Sequence, residues 1–363
     1  MFLFDIKINL LNASVVRILY LDFMKNLWYL LFLFLCSCSS EKENFLVQKC
    51  THEKIQGYDS YILGRPVCMA LADSILTISD SQISPMLHLL NIKTGRYVGR
   101  FISRGQGPNE FRDIATLEKF AGDTLFFHDL NKRVCAYFIL PKSNGDDVCL
   151  LSAFSCRDVP HNTLLPLNNG AYIATGIYED GRYCLLTDSG KMKRFIGTYP
   201  SRDKEEKVVS NLVKSQAYMG SISVSPSKDR FVSCASQADL LSFYKYENGE
   251  IQLVKEIQNS FPDYEYGKDM KVYMGVKRSN PVTYLDVCST EKFVYLLYSG
   301  KNYEKDQLKA FTSNKIHVYN WNGEKVKVLS LDVDVDKIVV SEDDGVMYSI
   351  ANLPDPMVVS FRL

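Results

Sequence analysis

The chain has 363 residues, with 42 Lys and Arg set against 42 Asp and Glu, and is 46% hydrophobic and 12% aromatic. Zero formal charge excludes the broad basic surface of a nucleic-acid binder, and balanced charge with this aromatic content excludes a disordered chain. With 22 Tyr and 20 Phe the composition favours strands over helices, and the length suits one large domain or two ordinary ones.

The first feature in chain order is an address. Leu27–Leu35 (LWYLLFLFL) is an unbroken apolar run behind Lys25. It is too short to cross a bilayer of roughly 30 Å, which takes about 20 helical residues, and it has the layout of a secretory signal. In Leu35-Cys36-Ser37-Cys38 a branched residue stands three places before Cys38 and a small one directly before it. This resembles a lipobox with Cys38 as the acylated residue, because Cys36 would follow bulky Leu35. The segment Ser39–Glu43 resembles the surface-export tags of Bacteroidetes lipoproteins. The expectation is therefore a signal region over 1–37 (its start at Met24), a lipid anchor at Cys38, a surface linker over 38–44 and a folded domain over 45–363. An ordinary cleaved signal or a buried hydrophobic strand is the alternative. Several acyl chains, each buried methylene contributing about 0.8 kcal/mol, would hold the protein at the cell envelope, on the outer membrane.

From there the chain reads as short strands punctuated by turns. A hairpin with glycine at its turn recurs at 87–101, 184–197, 241–254 and 316–329, with a looser copy at 134–154. Glycine supplies the positive φ that such turns need. A second strand pair precedes each copy, which gives four strands per unit: 66–71, 74–79, 86–92 and 97–102 in the first, then 113–118, 123–129, 133–140 and 148–155. Three further units run over about 160–197, 218–257 and 282–331. A last one begins near Asp334 and has three strands. A repeat of roughly 40–50 residues with four strands each is the signature of a β-propeller. The missing outer strand is assigned to Phe45–Cys50, pairing with Val358–Phe361 so that both chain ends share one blade and no edge stays open. Two smaller β-domains in series are the alternative.

At Arg104-Gly105-Gln106-Gly107-Pro108-Asn109-Glu110-Phe111 the pattern G-x-G-P-x-E-F follows a blade's outer strand. It resembles the six-bladed, TolB-like propeller lipoproteins of Bacteroidetes. That resemblance implies an all-β, six-bladed propeller of four-stranded antiparallel blades, an envelope location and a binding role; it supplies no catalytic residue. The loop itself reads as a structural joint, since no strand-then-helix context supports a dinucleotide site.

The long segments 103–112, 198–217, 258–281 and 299–313 gather on the face that carries the blade-to-blade connections, which is expected to bind a protein, peptide or glycan. Ser201–Met219 reads as a short amphipathic helix with Val208, Leu212 and Val213 on its apolar side. Candidate ligand-binding residues on this face are Arg65, Arg104, Arg112, Asp113, His161, Tyr218, Arg278 and Tyr284. They offer cations and hydroxyls to an anionic or sugar ligand. No H-E-x-x-H, G-x-S-x-G or C-x-x-C occurs, so no enzyme, no cofactor and no nucleic-acid partner is expected, and the protein is read as a monomer. The alternative is a calcium-dependent lactonase or esterase on the same fold, with Asp113, Asn162 or the alternating Asp332, Asp334 and Asp336 as ligands. The cysteines beyond Cys38 sit singly in apolar patterns and read as small buried hydrophobes, with room for one bridged pair.

Overall fold

The structure, a computed structural model, describes residues 46–55, 62–141 and 147–363. The signal region, Cys38, the 38–44 linker and Phe45 lie outside the described residues.

Strands β1 (Leu46–Cys50) and β2 (His52–Lys54) precede the repeats. The first four-stranded sheet holds β3 (Pro66–Ala72), β4 (Ile75–Asp80), β5 (Leu87–Asn91) and β6 (Arg96–Phe101). The second holds β7 (Ile114–Ala121), β8 (Thr124–Asp129), β9 (Val134–Ile139) and β10 (Cys149–Ser155). The third is built from β11 (Thr163–Pro166), β12 (Tyr172–Thr175), β13 (Tyr183–Leu186) and β14 (Met192–Ile196). Two short helices, α1 (Lys204–Lys207) and α2 (Asn211–Ala217), lead into a fourth sheet of β15 (Gly220–Val224), β16 (Arg230–Ala235), β17 (Leu240–Glu247) and β18 (Glu250–Gln258). A separate hairpin, β19 (Tyr264–Tyr266) and β20 (Tyr273–Val276), follows. The remainder is β21 (Pro281–Ser289), β22 (Phe293–Asn302), α3 (Tyr303–Asp306), β23 (Ser313–Asn320), β24 (Lys325–Val340), β25 (Val346–Asn352) and β26 (Pro356–Arg362). These strands, with β1 and β2, form one eight-stranded sheet.

Within every sheet consecutive strands pair antiparallel, as the alternation predicts. The glycines at the expected hairpin turns do adopt the left-handed backbone: Gly95, Gly190, Gly249 and Gly323 have φ of 68°, 76°, 80° and 76°. The middle strands are buried almost without a break, because their two faces pack against the sheets before and after. Leu87 and Leu89 meet Leu125 and Phe127 between the first two sheets. Ile173 and Tyr183 meet Ile222 and Phe231 between the third and fourth. The last strands close on the first, with Ile350 and Val358 packed among Met69, Leu76 and Ile78. Each such side chain contributes about 1.5–3 kcal/mol on burial. The outermost strands β10 and β18 are largely exposed.

β24 is 16 residues long. Its first half pairs with β23 and its second half with β25, so one strand ends one four-stranded run and begins the next. The amino-terminal pairing differs from the expected one. Leu46–Cys50 runs parallel to Lys327–Leu331 of β24, and the strand beside β26 is β2, with His52 opposite Phe361. Two contacts explain the correction. Cys50 is buried in the cluster containing Leu329 and Leu331, which holds β1 to that stretch. Asp332, just beyond it, accepts hydrogen bonds from the His52 backbone N–H and pairs with its ring Nδ1, both at 3.0 Å, and so turns the chain towards β26.

The expected helix over 201–219 is also corrected. It is two helices, broken at exposed Val208 and restarted by Ser210, whose hydroxyl caps Leu212 N–H at 3.1 Å. The buried stripe is Val209, Val213 and Ala217; of the expected apolar side, Val213 is buried, Leu212 is half-buried and Val208 is exposed.

Candidate functional site

The first strands of the six four-stranded runs (β3, β7, β11, β15, β21 and the second half of β24) line a common channel of about 610 Å³. That volume falls within the range of small-ligand cavities. Its wall combines backbone edges with a few ionisable groups: Glu118 and Lys119 on β7, Lys228 after β15, Asp286 on β21, and Lys337 and Glu342 on and after β24.

These groups fall into two levels. Deeper in the channel, Asp286 accepts the Ile338 backbone N–H at 2.9 Å, which ties β21 to β24. Burial pushes its carboxyl up, with Lys337 opposing. Asp336 precedes Lys337 on β24 but is not part of the wall; burial pushes it up to about 6, with Lys337 opposing and Asp286 adding to the rise. The second level lies at the carboxyl ends of the inner strands. There Lys119 pairs with Glu342 from β7 across to the turn after β24. Lys228 reaches from the fourth sheet to the second, donating to the Phe120 carbonyl with its ammonium 3.7 Å from the Phe120 ring centre. Both links skip over an intervening sheet. Together they strap this mouth of the channel. Burial pushes Glu118 up to about 7, Lys228 drawing it back, and burial pushes Lys228 down, Glu118 opposing.

The structure distributes the expected ligand-binding residues rather than collecting them. The side chains of Arg65 and Arg112 are exposed, and both residues are fixed through their backbone: Arg65 N–H donates to Asp80 Oδ1 at 3.0 Å and Arg112 N–H to Asp129 Oδ2 at 2.6 Å. Asp113 accepts from Asn131 Nδ2 at 3.3 Å. Arg104 folds back, its Nη2 donating to the Ser81 carbonyl at 2.7 Å. His161 is buried, 2.5 Å from the Tyr178 hydroxyl, and burial holds its pKa down near 4. Tyr284 is buried and donates to Asp239 Oδ1 at 2.5 Å. Tyr218 donates to Glu206 Oε1 at 2.8 Å, and Tyr264 to the same oxygen at 2.7 Å, so buried Glu206 pins the helices to the β19–β20 hairpin. Arg278 lies over Tyr303, 5.8 Å from its ring centre, at a shallow surface hollow shared with Lys277 and Glu304.

Asp332, Asp334 and Asp336 part company as well. Asp332 pairs with His52 and Asp334 with Lys301 at 3.3 Å, while Asp336 is half-buried with one carboxylate oxygen that has no hydrogen-bond partner. Among the described residues no three His, Cys, Asp or Glu side chains assemble in a metal-binding group.

The Gly-Pro-Glu-Phe loop is a joint in its geometry. Gly107 N–H donates to Glu110 Oε2 at 2.8 Å, and Gly105 N–H to the Phe111 carbonyl at 3.0 Å. Lys132 clamps the carbonyls of Gly107 and Glu110 at 3.0 and 2.7 Å. A Cβ on Gly105 would stand 1.9 Å from Glu110 Oε2, so the position admits only glycine without moving that side chain. Phe111 plugs between the first two sheets, edge-on to Phe127 at 4.5 Å.

Sequence reasoning missed two features. One is the buried aspartate at the end of a second strand, Asp80 or Asp129, which binds the amide before its own sheet's inner strand and the amides of the next turn. The signal was present as Ser79-Asp80-Ser81-Gln82 and His128-Asp129-Leu130-Asn131, aspartate two residues before a turn amide in equivalent places. The other is the strapped channel mouth.

The profile of the TolB-like 6-blade propeller-like family matches residues 42–343. The chain belongs to that family. No curated protein matches it. Among solved structures, the family fold is shared with a Bacteroides fragilis protein whose description is that of an exported protein. The two are 14% identical with a TM-score of 0.51, over 87% of this chain and 98% of the other. The β-propeller domain of Cps50 (Swd1) from Myceliophteria thermophila is 8% identical, with a TM-score of 0.47 over 84% of this chain and 98% of its own. BamB from Moraxella catarrhalis is 12% identical, with a TM-score of 0.41 over 82% and 85%. The first of these shares its overall fold with this chain.

Proposed function

We propose that the protein is an envelope-anchored binding module, a six-bladed ring whose last blade is completed by β2 and whose channel receives the slender end of a peptide or glycan, free or carried by a protein. The observation that carries the reading is the channel itself: about 610 Å³, lined from every inner strand, and strapped at one mouth by Lys119–Glu342 and Lys228–Phe120. A strapped mouth leaves the opposite one, beside the helices and the β19–β20 hairpin, as the way in. A wall bearing both Asp286 and Lys337 suits a ligand that offers donors and acceptors together and disfavours a plain hydrocarbon. A duplex is too wide for it, and the balanced charge offers no phosphate track, so nucleic acid is not the partner. The module acts as a monomer and as a binder rather than a hydrolase, a reading supported by Asp286 holding a backbone amide and Glu342 holding Lys119. The lipid on Cys38 would tether it to the outer membrane, where its ligand is met.

The test is binding of the purified protein to arrays of envelope glycans and of short peptides. Lys337→Met and Asp286→Asn should each weaken the captured ligand about tenfold or more. Retained affinity in both variants would remove the channel from the function. Cys38→Ala should release the protein from the membrane fraction and abolish incorporation of a labelled acyl chain; a variant still sedimenting with membranes would remove the anchor.

A further inference from the structure

Eight cysteines lie in the described residues, none of them bridged. Two are in contact. Cys135, on β9, and Cys156, directly after β10, are both 0% exposed, and their sulfurs are 3.8 Å apart. Among the described residues no other pair of cysteine sulfurs meets. The pairing register explains the meeting. Cys135 stands opposite Phe154, and Cys156 N–H donates to the Arg133 carbonyl at 3.0 Å, so Cys156 is the diagonal neighbour of Cys135 on the same sheet face. Cys156 is the residue at which β10 has ended, and it can give ground. The two sulfurs need to close by less than 2 Å to reach the bonded distance of about 2.05 Å.

From this geometry, together with the export proposed above, on which its occurrence in the cell rests, we propose that Cys135 and Cys156 form a disulfide that clasps the outer hairpin of the second blade. The chemistry is ordinary thiol–disulfide exchange with a small disulfide donor or a dithiol oxidase. The Cys156 thiolate attacks one sulfur of the donor, and the other sulfur leaves as a thiolate that takes the proton Cys156 gave up. Cys135, losing its proton, then attacks the Cys156 sulfur of the mixed disulfide, and the second donor thiol leaves with that proton. Two cysteine thiols are oxidised to one disulfide and one donor disulfide is reduced to two thiols. Cys156, just past the end of β10, is the sulfur a donor can still reach while that strand is undocked. Since neither sulfur is reachable in the folded chain, the bond forms while β10 is still docking.

The experiment is cell-free synthesis of the full chain in a buffer of oxidised and reduced glutathione, followed by alkylation in denaturant and tryptic mapping. Val134–Lys142 should appear joined to Ser143–Arg157, two hydrogens lighter than the sum of the two peptides. The second peptide also contains Cys149, which is exposed, so Cys149→Ser should keep the link and Cys156→Ser should lose it. Separate, fully alkylated peptides from wild type, or a link that survives Cys156→Ser, would overturn the assignment. The same map from the envelope fraction of cells making the full chain should show the link as well. A link formed in the glutathione buffer but absent from cells would count against export and leave the pairing of these two cysteines standing.

Discussion

Glu118→Gln should stabilise the protein at pH 8 and do nothing at pH 4. Burial in the channel wall raises the Glu118 carboxyl from 4.5 to about 7, so above pH 7 the native state carries a charge it would hold more cheaply unfolded. That cost is full above the folded pKa, shrinks as pH falls from about 7 towards 4.5, and is gone below, where both states are protonated. A rise of this size corresponds to about 3 kcal/mol. Glu118 is only half-buried by surface area and faces a channel wide enough for water, which screens part of the cost. The substitution also takes from Lys228 its carboxylate neighbour, although the ammonium keeps the Phe120 carbonyl and ring. The expected gain is therefore about 1–3 kcal/mol at pH 8, or roughly 2–4 °C in Tm per kcal/mol for a chain of this order of size. Thermal melts of wild type and variant at pH 8, 6 and 4, read by circular dichroism, measure it. A variant that melts below wild type at pH 8 would show that Lys228 holds the carboxylate charged and that burial does not govern the site.

His161 and His317 are held down to about 4 and about 3 by burial, with neighbouring cations acting in the same direction. Their contribution is full above about pH 6.5 and is lost as pH falls towards the folded values, because the unfolded chain takes up the proton first. His161→Gln should therefore lose its stability difference from wild type between pH 6.5 and 4, up to about 3 kcal/mol, in urea titrations across that range; a constant difference would refute the assignment. Phe111→Ala should cost about 3–5 kcal/mol through the cavity left beside Phe127, measured as a shift in urea midpoint, and a loss below 1 kcal/mol would mean the loop does not plug that interface. Removing residues 46–54 should lower the Tm of the whole domain in one transition, since it opens both β24 and β26; an unchanged Tm would mean that neither pairing supports the ring.

The strand plan could be read from the sequence because each device is local. The third strands expected at 86–92 and 133–140 span Leu87–Asn91 and Val134–Ile139, each bounded by apolar alternation and a turn. What could not be read is non-local or lies in the backbone. β2 is His52-Glu53-Lys54, three polar residues with no periodicity, and its place is fixed by contacts distant in sequence: the buried cluster around Cys50, the Asp332 carboxylate and the ladder to β26. Arg65 and Arg112 stand where a binding cation was expected, yet the group used is the main-chain N–H. Lys119, Lys228 and Glu342 are separated by more than 100 residues at each step, and nothing in their surroundings along the chain announces that they share a mouth. Val208 looked apolar and in phase, but Ser210 reset the helix.

The parallel pairing of β1 with β24 has a mechanical consequence. A pull on the chain ahead of Leu46 enters the domain along the axis of β1, and the ladder from Leu46–Lys327 to Cys50–Leu331 lies crosswise to that pull. Its hydrogen bonds are loaded together, in shear, instead of being unzipped one at a time from an end. The buried Cys50 and the His52–Asp332 pair anchor the far end of the ladder. β24 then spreads the load over both four-stranded runs it joins, so the domain resists tension at its amino terminus as one body and does not shed a single strand.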